Sequence, residues 1–285
     1  ESSAASDVYK RQIYVGLTFT ETIALNFAGM SFFDAINHSM SNIATGGFST
    51  KNDSLSYWNS IPQIQYIIIF FMILAGTNYL LIYSAILGKF KKLFKNTEFI
   101  WYISFIIVFV LITTLVLFLN VDLKNTEFDH PEIFGKFESS FRHSFFQIVA
   151  IITTTGFVTG DFAGWTPFLT MLFFGLMFLG ASSGSTSGGI KVSRHLILIK
   201  NGFLEFKRIL HPNAIVPVRY NNKSVPSEIV YNILGFFIIY MLTFMIGALG
   251  FSMFGLDFQS ALGVSASSLG NVGPSIGDFG PMGTV

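Results

Sequence analysis

FRHSFFQIVAIITTTGFVT, residues 141–159, opens as an apolar helical segment and closes on a run of threonines and a glycine. A bilayer crossing takes about 20 residues at about 1.5 Å each. At 12–15 residues the helical part is too short to span, so it reads as a re-entrant hairpin that enters the membrane and returns. Two further copies have the same design: FFDAINHSMSNIATGGFST at 32–50 and FQSALGVSASSLGNVGPSIG at 258–277. Aligned on Gly47, Gly156 and Gly273, they lie 109 and 117 residues apart, with Phe32, Phe141 and Phe258 fifteen positions before the glycine and Ala35, Ser144 and Ala261 twelve before it. The repeat predicts near-equivalent modules around a common axis, each a span, a short re-entrant helix, a return strand and a second span.

Around the copies lie long apolar runs at about 13–30, 61–87, 99–119, 166–199 and 229–255, which predict five crossings. The 285-residue chain is 51% hydrophobic and only 12% charged, too little charge to cover a water-soluble domain of this size. Its net charge of +1 excludes a strongly basic nucleic-acid binder, and the absence of cysteine excludes disulfides, thiolate chemistry and cysteine-ligated metals. The opening ESSAASDVYKRQ lacks both an initiator Met and the basic-then-apolar order of a signal peptide, so the sequence reads as an excised or truncated piece.

Short cytoplasmic loops retain Lys and Arg. Residues 88–98 hold Lys89, Lys91, Lys92 and Lys95, and residues 191–228 hold seven basic residues against Glu205 and Glu228. Residues 120–140 hold five acidic residues against Lys124 and Lys136. With Lys10 and Arg11 inside, five crossings place all three re-entrant segments on the outer face. The fourth run is interrupted by ASSGSTSGG at 181–189, where small polar residues and glycines disfavour continuous helix; a gate and a tight small-residue packing motif are the two readings of that break.

The return strands, Ala44 to Ser49, Thr153 to Phe157 and Gly270 to Pro274, offer only backbone and neutral side-chain groups, apart from apolar packing residues. Glycine reaches backbone conformations that let successive carbonyls face one axis, and such carbonyls can replace the hydration shell of a monovalent cation. The preceding helices would aim their negative C-terminal ends at the same place. Asn42 and Asn271 read as strand-orienting or turn-capping residues, and Phe48 and Phe157 as wedges behind the strands. His38 and His143 sit at different distances from their glycines and read as packing or interfacial groups rather than a metal pair. Glu21 reads either as a buried, partnered carboxylate or as a membrane-edge residue. Asp161, Asp257 and Asp278 attract cations or are simply solvated, and Lys207, Arg208, Arg219 and Lys223 mark a basic connector that meets lipid headgroups or a soluble regulator. Gly180 to Gly184 formally matches a hydrolase nucleophile elbow but lacks strand-turn-helix context, so catalysis gains no support.

Taken together, IATGGFST at 43–50, QIVAIITTTGFVTGDF at 147–162, GSTSGGIKV at 184–192 and SSLGNVGPSIG at 267–277 give the chain, from about 13 to 280, a resemblance to the membrane subunit of the Trk/Ktr/HKT superfamily of potassium transporters, most closely the bacterial Trk type. The resemblance implies an all-α transmembrane, potassium-channel-like fold of four membrane-loop-membrane modules in pseudo-fourfold arrangement, in a multi-pass protein of the bacterial inner membrane. On it, residues 1–12 are a cytoplasmic stretch, 13–95 the second module, 99–200 the third with a broken inner helix, 201–228 a cytoplasmic connector and 229–285 the first part of the fourth. The first module and the final span, with its basic residue below the filter, are expected to be missing from the sequence.

Carried over residue by residue, the potassium filter is Thr45, Gly46 and Gly47; Thr154, Thr155 and Gly156; and Asn271, Val272 and Gly273. The gating loop is Gly184, Ser185, Thr186, Ser187, Gly188 and Gly189 with Lys191, and Ser187 stands where related loops have glycine, which implies a stiffer gate. Expected function is uptake of K+ as the transported ion, with no enzyme activity and no organic cofactor. Expected partners are a second copy in a homodimer, a cytoplasmic nucleotide-binding regulatory subunit and membrane lipid, but no nucleic acid. The competing readings are a proton- or sodium-coupled solute transporter with broken helices and a noncatalytic membrane scaffold.

Overall fold

A computed structural model of the chain describes residues 3–123, 130–211 and 216–281, with side chains described from residue 8 onward. Lys124, in the acidic loop of the topology reading, lies outside the described residues. The fold is helical: α1 (Ser3–Phe27), α2 (Phe32–Ile43), α3 (Pro62–Ala75), α4 (Tyr79–Ile86), α5 (Phe90–Lys95), α6 (Thr97–Asn120), α7 (Lys136–Ile152), α8 (Pro167–Leu176), α9 (Val192–Leu210), α10 (Ser227–Met253) and α11 (Phe258–Gly270). A two-stranded hairpin, β1 (Arg219–Tyr220) and β2 (Lys223–Ser224), interrupts the connector, turning through Asn221 and Asn222, both left-handed at φ 47° and 61°.

The three short helices are α2, α7 and α11, at 12, 17 and 13 residues. Each packs against the helix before it, α2 on α1, α7 on α6 and α11 on α10, so the sequence repeat is also a packing repeat. The alignment positions sort by environment: Ala35, Ser144 and Ala261 are buried, whereas Phe32 and Phe258 face outward. α7 lies between α6 and α3 and forms the centre of the core, buried over most of its length from Ser139 to Ile152.

Where sequence predicts five crossings, α6 and α10 are the two helices long and apolar enough to cross a membrane among the described residues, and α3 with α4 makes a third if that bent pair is one span. α1 has the length, but Lys10, Arg11 and Glu21 dilute its apolar run. The fourth run breaks after α8, as expected from its Ser and Gly content, and residues 177–191 form a loop joined to itself by a Leu179–Ile190 bridge. The second run also breaks, at Gly76-Thr77-Asn78, where the axis turns by 107°. Sequence did not predict this break.

Candidate ion pathway

Each short helix ends in the same turn. Thr45 N–H donates to Asn42 C=O (2.9 Å), Thr154 to Ile151 (3.0 Å) and Asn271 to Ser268 (3.3 Å); one residue on, Gly46 donates to Ser41 (2.8 Å), Thr155 to Ala150 (2.9 Å) and Val272 to Ser267 (2.9 Å). This double reach back over a left-handed residue is a Schellman-type helix end. The left-handed residues are Thr45, Thr154 and Asn271 at φ 53°, 54° and 55°, followed two positions later by Gly47, Gly156 and Gly273 at φ 68°, 80° and 104°. A β-branched Thr in this region is strained at a cost of order 1 kcal/mol or more, and burial of Thr45 and Thr154 holds it there. Alternating left-handed and ordinary residues turn the carbonyls of each strand out of any helix or sheet. Among the described residues, the carbonyl oxygens of Thr45, Gly46, Thr154, Thr155, Asn271 and Val272 accept no hydrogen bond.

The strands pack in sequence around one cavity of about 520 Å³, lined by Thr45 to Gly47, Thr155, Gly156 and Asn271 to Gly273. A Cβ on Gly47 would lie 2.2 Å from the Thr155 carbonyl oxygen, and one on Gly156 would lie 2.2 Å from that of Val272, the equivalent residue of the next copy. Glycine is required at both places because backbone meets backbone there.

Of the supporting residues, Asn42 does orient its strand: its Nδ2 donates to Glu21 Oε1 (2.5 Å) and to Ile68 C=O (3.2 Å). Glu21 is therefore fully buried on α1 behind the first strand, a buried and partnered carboxylate. Asn271 makes no side-chain hydrogen bond among the described residues and acts through its left-handed backbone. Phe157 is buried behind its strand, in ring contact with His38. Phe48 is not a wedge: it is 81% exposed and lies along the cavity rim, because the backbone leaving Gly47 at positive φ carries its ring over Gly46 rather than inward. His38 and His143, inequivalent in the repeat, perform one task; each ties its short helix to the following strand, through Ser49 Oγ (2.9 Å) and Thr159 Oγ1 (3.0 Å).

At the outer rim, Asp34 accepts from Thr50 Oγ1 (2.5 Å) and Ser31 Oγ (2.8 Å), with Lys51 at 3.8 Å. The Thr50 hydroxyl, above all, holds the Asp34 carboxyl below the usual Asp range, aided by Ser31 and Lys51 against the opposing effect of burial. Asp257 accepts from the Ser260 and Gln259 amides as the cap of α11, and these bonds lower its carboxyl too, so its role in the structure is structural capping. Asp161 likewise accepts from the Ala163 amide (3.0 Å).

Beneath the strands, the loop 177–191 touches the ends of all three short helices. Thr186 Oγ1 donates to Ile43 C=O (3.0 Å), Gly188 N–H donates to Thr154 Oγ1 (2.6 Å), and a Cβ on Gly188 would sit 2.5 Å from Gly270 C=O. Ser187 is bonded within the loop to Lys191 Nζ and to Ser185 Oγ (both 2.9 Å). The 76–78 break is the loop's other seat: Ser182 N–H donates to Gly76 C=O (3.0 Å), Asn78 Nδ2 to Ser183 C=O (2.6 Å) and Tyr79 N–H to Gly184 C=O (3.4 Å).

Two buried charges escaped the sequence reading. Arg142 lies wholly buried on α7, paired with Glu138 (2.9 Å) and bonded to Gln65; the i, i+4 spacing of Glu138 and Arg142 was the available signal. Glu98, at the start of α6, accepts from the Ser183 amide (2.6 Å), a contact across 85 residues that no local pattern announces.

A TrkH family model, described as a cation transport protein, matches residues 12–282. The Trk system potassium uptake protein TrkH of Salmonella typhimurium (strain LT2) is 39% identical over 266 residues, 93% of this chain and 53% of that protein. TrkG of Escherichia coli (strain K12), also a Trk system potassium uptake protein, is 30% identical over 257 residues, 90% of this chain and 50% of that protein. The crystal structure of the potassium transporter TrkH from Vibrio parahaemolyticus matches with a TM-score of 0.87 at 34% identity, over 97% of this chain and 57% of the other. The chain spans about half the length of the curated relatives it matches.

Proposed function

The chain belongs to the TrkH family of cation transport proteins, and from that premise we propose that it forms most of a potassium-uptake pore, with Thr45 to Gly47, Thr154 to Gly156 and Asn271 to Gly273 as the selectivity filter. It is a multi-pass protein of the inner membrane. The observation that carries the filter reading is the set of unpaired carbonyls on three strands of identical backbone design, all around one cavity. Carbonyls that accept from no donor and converge on one cavity can replace the hydration shell of a cation, which makes a cation the natural occupant. Three helix C-termini facing the same cavity add negative potential without a fixed charge. A pore of neutral oxygens binds K+ well enough to admit it and weakly enough to release it.

The loop 177–191 serves as the gate, since its small-residue stretch from Ser182 to Gly189 lies across the ends of all three short helices and is tied to them by hydrogen bonds from Thr186 and Gly188. The domain division follows: 13–95, 99–200 and 229–285 are pore modules, and 201–228 is the connector. A second copy and a cytoplasmic nucleotide-binding subunit are the proposed protein partners, the latter received by the basic connector. The test is rubidium uptake by the full-length protein in a host lacking its own potassium uptake. Gly47→Val and Gly156→Val, at normal expression, are expected to abolish uptake; unchanged uptake in both would overturn the filter reading.

A further inference from the structure

Glu98 is 4% exposed, and each of its two oxygens is bonded to a distant part of the chain. Oε1 accepts from the Ser183 amide in the gate loop at 2.6 Å, and Oε2 accepts from the Tyr220 hydroxyl on β1 at 2.9 Å. We propose that Glu98 is a positioning residue that couples the hairpin at 219–224 to the gate loop, so that displacement of the hairpin releases or seats the loop; this rests on the reading of 177–191 as the gate.

Three further features support the coupling. The hairpin tip is docked on the same end of α6, where Asn221 Oδ1 accepts from the Thr97 amide at 2.8 Å. The hairpin is also fastened to α9, the helix that leaves the gate loop: Lys200 Nζ donates to Arg219 C=O (3.0 Å), Arg208 Nη2 donates to Val216 C=O (3.0 Å), and Val218 and Tyr220 pack with Ile197 and Val230. Within the loop, Ser183 is joined to Ser193 in the first turn of α9 through their hydroxyls at 2.6 Å. The hairpin thus holds the gate loop from both sides, through Glu98 at Ser183 and through α9 beyond Ser193. A buried carboxylate with one donor per oxygen is strongly destabilised when either donor leaves, which makes the two contacts interdependent. Burial, and the Glu98 carboxylate beside it, push the Tyr220 hydroxyl up, so it remains a donor at physiological pH. Arg219, Asn221, Asn222 and Lys223 are exposed, leaving the hairpin's outer side free to be pushed or pulled.

The chain contains no cysteine, which makes the coupling measurable without reference to flux. In the full-length protein, freed of any other cysteine, Ser182→Cys places one thiol in the loop at a buried position, 1% exposed, and its rate of modification by a small methanethiosulfonate reagent reports how often the loop leaves its seat. Tyr220→Phe removes one hydroxyl and leaves the fold intact; Glu98→Gln tests the carboxylate directly. Each is expected to raise the modification rate about tenfold, the scale of one charge-assisted hydrogen bond, and the double variant is expected to go no further than Glu98→Gln alone. Unchanged modification in both single variants would overturn the coupling, whatever happens to uptake. Faster modification with unchanged rubidium uptake would uphold the coupling and instead sink the gate reading.

Discussion

Two helices that follow a return strand break in mid-course, and they break differently. Between α3 and α4 three residues, Gly76 to Asn78, turn the axis by 107° and leave the chain tightly bonded; between α8 and α9 the chain runs unwound from 177 to 191. The short break offers fixed acceptors and donors, Gly76 C=O and Asn78 Nδ2, and the long one is what they hold. On the proposed reading, pseudo-equivalent modules have diverged into a seat and a moving part. What separates them is composition: Gly-Thr-Asn is enough for a turn, whereas Ser182 to Gly189 supplies small side chains that bond sideways in place of a helix ladder.

The largest expected effect comes from swapping the kind of clash at the two breaks. Gly188→Val drives a Cβ to within 2.5 Å of the Gly270 backbone oxygen, which cannot yield, so the loop is forced from its seat and rubidium uptake is expected to rise about tenfold or more. Gly76→Val meets side-chain atoms first, Tyr102 Oη at 2.4 Å and Thr153 Cγ2 at 2.9 Å, and is expected to cost about 1–3 kcal/mol in thermal stability with a smaller change in uptake. If the two variants behaved alike, the distinction between seat and moving part would fail. Next, Thr186→Val removes the bonds to Ile43 C=O and Ala75 C=O, an expected loss of roughly 1–2 kcal/mol read as a lower melting temperature.

Asn78→Ala deletes both the bond to Ser183 C=O and the cap on Leu80 N–H, for an expected loss of about 1 kcal/mol or slightly more. The smallest effect distinguishes the outer rim from both breaks. Asp34 titrates below its unfolded value, so its contribution is fully present above the ordinary Asp range and is lost as pH falls through the lowered value. Acid melting curves of Asp34→Asn are accordingly expected to converge with those of the parent protein at low pH and to fall below them near neutrality.

Much of the backbone geometry of the candidate pathway was legible because glycine spacing reflects it directly: Gly47, Gly156 and Gly273 all have positive φ, and at the first two the close approach of strands also requires glycine. The loop was legible because ASSGSTSGG is a poor helix. The bend at 76–78 was not, since three residues inside an apolar run barely alter its hydropathy. Thr45 and Thr154 in left-handed backbone ran against their own propensity, held there by the Schellman-type turn. The outward ring of Phe48 follows from the backbone at Gly47, which hydropathy does not register, whereas the burial of Glu21 against Asn42 and the link from Glu98 to Ser183 and Tyr220 depend on contacts between segments far apart in sequence, which neither period nor composition encodes.

The central claim is that the unpaired carbonyls of three strands form the ion path. Anomalous scattering from crystals of the full-length protein grown in rubidium tests it most directly. The account predicts rubidium density on the axis between Thr45 to Gly47, Thr154 to Gly156 and Asn271 to Gly273, lost in Gly156→Val; rubidium bound elsewhere in the protein, with none between these strands, would contradict it.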